Sequence, residues 1–329
     1  MTVNRRRFLQ AATTGATVLA AGTLGAPPAL AAPGGFPDYR YVRTLLRPDQ
    51  LGYDPTGEII FPCVRGVYDR LSSPIGRYYL YYAPHNDPGG ICLAYGDSLE
   101  GPFTEYPGNP IVANRWDPHY SVPHVSSPHV MWHAGQREMW LYFHGDNRTT
   151  RLARSADGIH FTYDKIVLST SMLPAGATEA SYARVFPYNL PSRGARYVMV
   201  FMRNITADRR NISWGWSADG RNWQFDPTPL VEPQAVGAVN LSGPHLLERN
   251  GNAYVVYHTD KGSGGNILIT EVGADFSRRR HLGVFYDSRS AAPESGRAAA
   301  PCFGTDRGVP YMIYEAGERL GGVIAMARG

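Results

Sequence analysis

Five short runs of apolar and aromatic residues recur along the chain at intervals of about 58 residues: Tyr78 to Ala83, Met139 to His144, Tyr197 to Met202, Ala253 to His258 and Pro310 to Glu315. Each is rich in β-branched or aromatic side chains and is bounded by Gly, Pro, Asn or Asp, which predicts strands. A second marker precedes the runs: Pro62-Cys63-Val64, Ser127-Pro128-His129-Val130, Gly243-Pro244-His245-Leu246 and Pro301-Cys302-Phe303. A third follows two of them, Ser155-Ala156-Asp157-Gly158 and Ser217-Ala218-Asp219-Gly220, identical in all four positions. Further short strands, such as Ile91 to Tyr95 and Ile267 to Thr270, complete each unit. No stretch after residue 32 carries a helical period. Repeats of this length with about four strands each predict an all-β protein, a five-bladed β-propeller. A β-sandwich would not repeat at this interval, and the rungs of a β-helix are shorter. The last unit has chain for only three strands, so the extended segment Tyr39 to Leu46 is expected to supply the fourth and close the ring.

Composition changes the picture mainly at the N-terminus. The whole chain of 329 residues carries 32 basic and 28 acidic side chains. Three of the basic ones, Arg5, Arg6 and Arg7, open a segment that continues through a Gly-interrupted apolar run from Ala11 to Ala26 and ends at Ala29-Leu30-Ala31. This pattern predicts a twin-arginine signal peptide over residues 1–31, with residues 32–329 forming one catalytic propeller domain exported from a bacterial cytoplasm. The apolar run falls short of a bilayer span, so no membrane association is expected after cleavage. Without the signal the charge is close to neutral, and the basic residues alternate with acids. Nucleic acid is therefore not an expected partner, and a monomer is the default. Cys63, Cys92 and Cys302 are too few for a disulfide framework. They read as buried thiols in strands; Cys63 and Cys302, however, fall on inner strands of blades that become neighbours when the ring closes, where a ring-locking disulfide is the alternative.

In a propeller, the starts of the inner strands and the turns after the second strands converge on one funnel. The polar residues at those positions are Glu58, Asp117, His119, Tyr120, His124, Glu179, Tyr182, Arg184, Asn240, Ser242 and Glu294 from the first set. The second set supplies His85, Asp87, His144, Asp146, Arg203, His258, Asp260 and Glu315. Carboxylates and imidazoles dominate, and they differ from blade to blade, which points to one asymmetric pocket. Asp157 and Asp219 are expected to brace turns on the opposite face, and His129 and His245 to be core residues.

The stretch Tyr78-Tyr79-Leu80-Tyr81-Tyr82-Ala83-Pro84, the segment Ile91 to Phe103 with its Ser98-Leu99-Glu100-Gly101-Pro102-Phe103, and Gly108-Asn109-Pro110-Ile111 together resemble the first blade of five-bladed propeller glycosidases. The resemblance is to glycoside hydrolase family 43 and its relatives, families 32 and 117. It implies a secreted glycosidase working on a polysaccharide or oligosaccharide by carboxylate acid/base catalysis. By position Glu179 matches the family's general acid. The first and second inner strands lack the Asp that the family carries at each, which marks a divergent member with a rearranged acid and base. Glycoside hydrolysis requires one protonated group at the leaving oxygen and one ionised group that activates water or attacks carbon. Candidates for the base are Asp117, Asp87 and Glu294, in that order, and His119 or His124 stands as an alternative acid. His85, Tyr120, Tyr182, Arg184, His258, Asp260 and Glu315 are expected to bind substrate. No cofactor is expected. Relatives in family 43 hold calcium at the propeller axis, but no Asp-rich loop with calcium-ligand spacing is present here.

Two other readings use different residues. A polysaccharide lyase acting on a uronate would use His119 or His124 with Tyr120, and Arg184 or Arg65 would neutralise the carboxylate. A non-catalytic carbohydrate-binding propeller would repeat one sugar site per blade, which the unequal funnel residues oppose.

Overall fold

Five four-stranded antiparallel sheets follow one another around a ring. The computed structural model describes residues 33–206 and 208–329, so the signal peptide expected over 1–31 lies outside the described residues. Blade 1 comprises Ile60–Gly66, Tyr78–Ala83, Cys92–Gly96 and Thr104–Glu105. Blade 2 comprises Val125–His133, Glu138–Gly145, Thr149–Ser155 and Thr162–Ser169. Blade 3 comprises Ala177–Leu190, Ala195–Ile205, Arg209–Ser217 and Gln224–Phe225. Blade 4 comprises Leu241–Arg249, Asn252–Thr259, Ile267–Glu271 and Arg280–Tyr286. Blade 5 takes Ala298–Asp306, Val309–Ala316 and Val323–Arg328 from the C-terminus and Arg40–Leu46 from the N-terminus. That last strand pairs with Val323–Arg328, so the ring closes through the backbone as the incomplete fifth unit required. The five aromatic runs are the second strands. They are buried on both faces because each blade packs between two others, which is why they read as continuous apolar stretches.

The repeated Ser-Ala-Asp-Gly boxes tie neighbouring blades together. In the first box Ser155 Oγ accepts from the Gly158 amide at 2.9 Å, and Asp157 Oδ1 accepts from the amides of Ile159 and His160 at 2.8 Å each. The tight turn places Gly158 at φ 74°, a conformation that glycine adopts without strain. The Gly158 carbonyl then accepts from the Tyr81 hydroxyl of blade 1 at 2.8 Å. One blade on, the Tyr142 hydroxyl reaches the Gly220 carbonyl at 2.9 Å. Burial alone would raise the Asp219 carboxyl, but donors from Asn222, Arg221 and Ser217 outweigh it and hold it at about 2. A depressed carboxyl stabilises the fold above its unfolded value of about 3.9 and loses that contribution as pH falls toward 2. Asp219→Ala is therefore expected to lower the urea midpoint at pH 6 and to converge with the parent near pH 2. Parallel curves across that range would show that the carboxylate braces nothing.

The inner strands share a less expected feature. In every blade the first strand breaks register with the second: between Ile60 and Cys63, Ser126 and His129, Ser181 and Arg184, Ser242 and His245, and Ala299 and Cys302. Within each break one residue has positive φ: Phe61 at 53°, Ser127 at 55°, Tyr182 at 55°, Gly243 at 55° and Ala300 at 46°. These are β-bulges, which bend a strand and re-aim its side chains. Four of the five bulges place Pro immediately after the left-handed residue, where a missing N–H leaves no ladder bond broken. The prolines that marked the repeat in the sequence are thus the bulge positions. Four non-glycine residues held in the left-handed region cost roughly 1–2 kcal/mol each. That strain is concentrated around the mouth of the propeller.

Candidate active site

The bulges tip Ile60, Phe61, Tyr182, Ser242 and Ala300 into a cavity of about 240 Å³ at the mouth of the ring. The ends of the second strands and the turns after them add His85, His258, Asp260, Lys261, Glu315, Glu318 and Arg319 to its wall, and Arg210, Asn240 and Arg297 also line it. Five of the residues expected to bind substrate, His85, Tyr182, His258, Asp260 and Glu315, are therefore brought together.

The charges are arranged in pairs. Arg297 donates to Glu315 at 2.5 Å and to the Gly317 carbonyl at 3.0 Å. Arg210 lies 3.2 Å from each oxygen of Glu179, whose side chain is 19% exposed at the rim. Lys261 is paired with Glu318. Asp260 stands apart. It precedes the short 3-10 turn Lys261–Ser263, but its side chain caps nothing there, and its Oδ1 is buried with no hydrogen-bond partner among the described residues. Beneath the wall, Glu58 is fully buried, and neither of its oxygens meets a hydrogen-bond donor in good geometry. Burial and the nearby Glu315 raise its carboxyl, against the opposing field of Arg319.

Both lining histidines are held neutral. Burial, followed by Arg319, lowers His85 to about 4, and its Nε2 shares a hydrogen bond with the Tyr182 hydroxyl at 2.9 Å. Burial and the field of Arg297 push His258 well below its ordinary value. Its Nδ1 accepts from the Ala300 amide at 3.2 Å, which assigns the proton to Nε2. Gly243 lies against this ring. A Cβ there would fall 2.7 Å from His258 Nδ1 and 2.9 Å from the Ala300 Cα, so only glycine fits.

Blade 2 contributes nothing to the cavity, which explains most of the misplaced expectations. The loop from Pro84 to Gly90 crosses over the start of its inner strand. Ser126 Oγ donates to the Pro84 carbonyl at 3.1 Å, and the Gly90 amide donates to the Val125 carbonyl at 2.9 Å. Gly89 sits so close that a Cβ would meet the Val125 oxygen at 2.2 Å. The histidine-rich stretch before blade 2 is pushed outward into a small hairpin, Arg115–Trp116 with Tyr120–Ser121. Asp117 there is 69% exposed and paired with Arg115. His119 is exposed and stacked on Tyr163. Tyr120 turns its hydroxyl to the Ala113 carbonyl at 2.9 Å. None of the three lines the cavity. Asp87 is exposed beside His124 at 3.7 Å, and His124 packs behind His85 without reaching the lining.

Two other candidates are structural. Glu294 is fully buried between blades 4 and 5. It accepts from the Tyr286 hydroxyl at 2.5 Å, from the Tyr314 hydroxyl, and from the Arg289 amide at 2.5 Å. With its acceptors filled it has no capacity left to activate water. Arg184 lies beneath the cavity, fully buried, and crosses the axis to donate to the carbonyls of Pro62 at 3.1 Å and Ala300 at 3.2 Å. Its guanidinium stacks on Phe61 at 4.2 Å. The residues named for a lyase, His119 or His124 with Tyr120 and Arg184 or Arg65, therefore do not line this cavity.

Below Arg184 the axis holds Cys63, Cys302, Arg65, His129 and His245. Cys63 and Cys302 are neighbours from the first and last blades, as ring closure requires, but all three cysteines are free thiols and no disulfide locks the ring. Burial pushes the Cys63 thiol up. His129 donates through Nε2 to the Val185 carbonyl at 2.7 Å, the satisfied core role expected of it. Two guanidinium groups, thiols and imidazoles are an unsuitable donor set for calcium, which takes several oxygen ligands. No step is therefore routed through such an ion.

Arg210, Lys261, Arg297, Glu318 and Arg319 line the cavity but are absent from the candidates drawn from the sequence. The last two lie just beyond Glu315 in the same turn, and Lys261 directly follows Asp260. A wider window around each turn would have included them.

No protein-family model matches the chain, and no curated protein is similar to it in sequence. Solved structures are similar in fold. One is a thermostable family-43 glycoside hydrolase, with a TM-score of 0.63 at 13% identity over 84% of this protein and 91% of that one. Another is an alpha-L-arabinofuranosidase from Lactobacillus brevis, with a TM-score of 0.61 at 15% identity over 88% and 92%. A third is the catalytic domain of a GH62 alpha-L-arabinofuranosidase from Coprinopsis cinerea, with a TM-score of 0.62 at 10% identity over 88% and 96%. The chain is thus a five-bladed β-propeller similar in fold to glycoside hydrolases of family 43, the resemblance that its first blade carries in sequence.

Proposed function

We propose that this protein is a glycoside hydrolase whose reaction takes place in the cavity between blades 1, 3, 4 and 5. The observation that carries the reading is the unequal state of the carboxylates there. Glu179, which lies beside the cavity, and Glu315 in its wall are each ion-paired with an arginine, whereas Asp260 has no ion pair among the described residues; one oxygen of Asp260 and one of Glu179 are buried without a hydrogen bond. Hydrolysis of a glycosidic bond needs that asymmetry: one carboxyl free to engage the leaving oxygen, and one fixed anion facing a water or the anomeric carbon. Asp260 takes the first role and Glu179, steadied by Arg210, the second. This reverses the acid assignment that the resemblance suggests for Glu179. Neutral His258 offers an Nε2–H, and the Tyr182–His85 pair offers a hydroxyl, for orienting sugar hydroxyls. The fold likeness to family-43 enzymes supports the reaction class. The cavity volume, small for a binding site, suits the terminus of a glycan. Export through the twin-arginine pathway would place the enzyme outside the membrane, where such glycans occur.

The test is incubation of residues 32–329 with a panel of neutral and uronate-containing oligosaccharides and polysaccharides, following reducing ends and ultraviolet absorbance together. Reducing ends without new absorbance are expected. Absorbance rising with the reducing ends would show elimination, and silence in both would overturn the hydrolase reading.

A further inference from the structure

Pairing off the charges of the cavity leaves one cation, Arg319, and one carboxylate, Asp260, without an ion pair among the described residues. Arg210, Arg297 and Lys261 each have a carboxylate, Glu179, Glu315 and Glu318 respectively. Arg319 lines the same cavity and has none among the described residues. Its Nη2 lies 3.0 Å from Nδ1 and 2.9 Å from Nε2 of His85, a ring that is itself held neutral. Glu58 feels the field of Arg319 but forms no ion pair with it and is sealed beneath the wall. A guanidinium whose nearest polar neighbour is an uncharged imidazole retains most of its capacity to bind an anion. Planar carboxylates are its best geometric match. Within the same cavity the unpartnered Oδ1 of Asp260 is an acceptor awaiting a donor. The site thus has one open cationic group and one open acceptor, complementary to a molecule that carries both a carboxylate and hydroxyl groups.

We infer that the cavity selects an acidic sugar, a uronic acid residue whose carboxylate pairs with Arg319 while a hydroxyl donates to Asp260. This inference rests on the hydrolase reading for its biological setting, but the binding it asserts does not depend on turnover. Arg319 sits on the exposed turn after Glu315, so replacing it leaves the blade core intact.

The experiment measures binding of glucuronic, galacturonic and mannuronic acids, and of glucose, galactose and mannose, by calorimetry on the full mature chain. At least one uronic acid is expected to bind ten-fold or more tightly than its neutral counterpart. That margin should shrink as salt is raised. Arg319→Ala is expected to abolish the margin, and Arg319→Lys, which keeps the charge but loses the planar fork, to restore part of it. Unchanged melting temperatures in both variants exclude a folding effect. Equal binding of acid and neutral sugars, an unchanged margin in Arg319→Ala, or no uronic acid bound at millimolar concentration would each overturn the inference. The hydrolase reading would be untouched by these results, because it falls only if the glycan panel yields no new reducing ends or yields ultraviolet absorbance along with them.

Discussion

Asp260→Asn is expected to slow hydrolysis of a natural glycan by roughly 10²–10⁴-fold, the usual contribution of a positioned general acid. On an aryl glycoside whose phenolate leaves without protonation, the same variant should approach the parent rate. Glu179→Gln should be slow on both substrates, because a water or anomeric carbon still has to be attacked when the leaving group is good. The contrast follows from the pocket. Asp260 lines the cavity with no cation paired to it among the described residues, whereas Glu179 is held by Arg210 at 3.2 Å. Single-turnover rates on the two substrate types, with circular dichroism to confirm folding, check it. If the aryl glycoside rescues Glu179→Gln instead, the two roles are exchanged and Glu179 is the acid that its position in the repeat suggests. Near-parent rates in both variants on both substrates would place the chemistry elsewhere.

The second large effect concerns stability. Arg184→Ala is expected to cost about 3–5 kcal/mol. It strips the donor from two buried carbonyls, Pro62 and Ala300, at about 1–3 kcal/mol each, and leaves a cavity under Phe61. The melting temperature should fall by roughly 5–10 °C. Arg184→Lys should recover little, since an ammonium cannot serve both carbonyls and stack on the ring as a planar guanidinium does. A variant with parent stability but a raised KM would return Arg184 to substrate binding, the role that its place before an inner strand suggests. The distinction matters because Arg184 joins blade 3 to blades 1 and 5 across the axis, with no disulfide between Cys63 and Cys302 to assist.

What was legible in the chain was whatever local repetition encodes. Aromatic runs alternating with turn residues can bury their side chains only as stacked sheets, so five such runs specified five blades. The missing fourth strand of the last unit specified ring closure by Tyr39 to Leu46. Asp157 and Asp219 were readable as turn braces because they bond to amides two and three residues away, an interaction that sequence distance alone permits. His85, Tyr182, His258, Asp260 and Glu315 were readable because the repeat fixes which inner strand or turn each occupies.

What the tertiary structure decided was which of those turns stay open. The Pro84 to Gly90 loop lies over blade 2 and shifts the cavity toward blades 3, 4 and 5, and no local pattern records that crossing. Asp117 and His119 lie on the surface although they precede an inner strand as Glu58 does. Glu294 and Glu179 are both acids placed before inner strands. One is saturated by Tyr286, Tyr314 and Arg289, and the other is met only by Arg210. Those partners come from strands and loops up to 31 residues away, and the chain order does not show whether they reach one carboxylate or another. Sequence fixes a side chain's address in a repeating fold, because backbone hydrogen bonding is periodic. Its chemistry depends on burial and on neighbours from other strands and other blades, which meet only once the sheets have formed and the ring has closed.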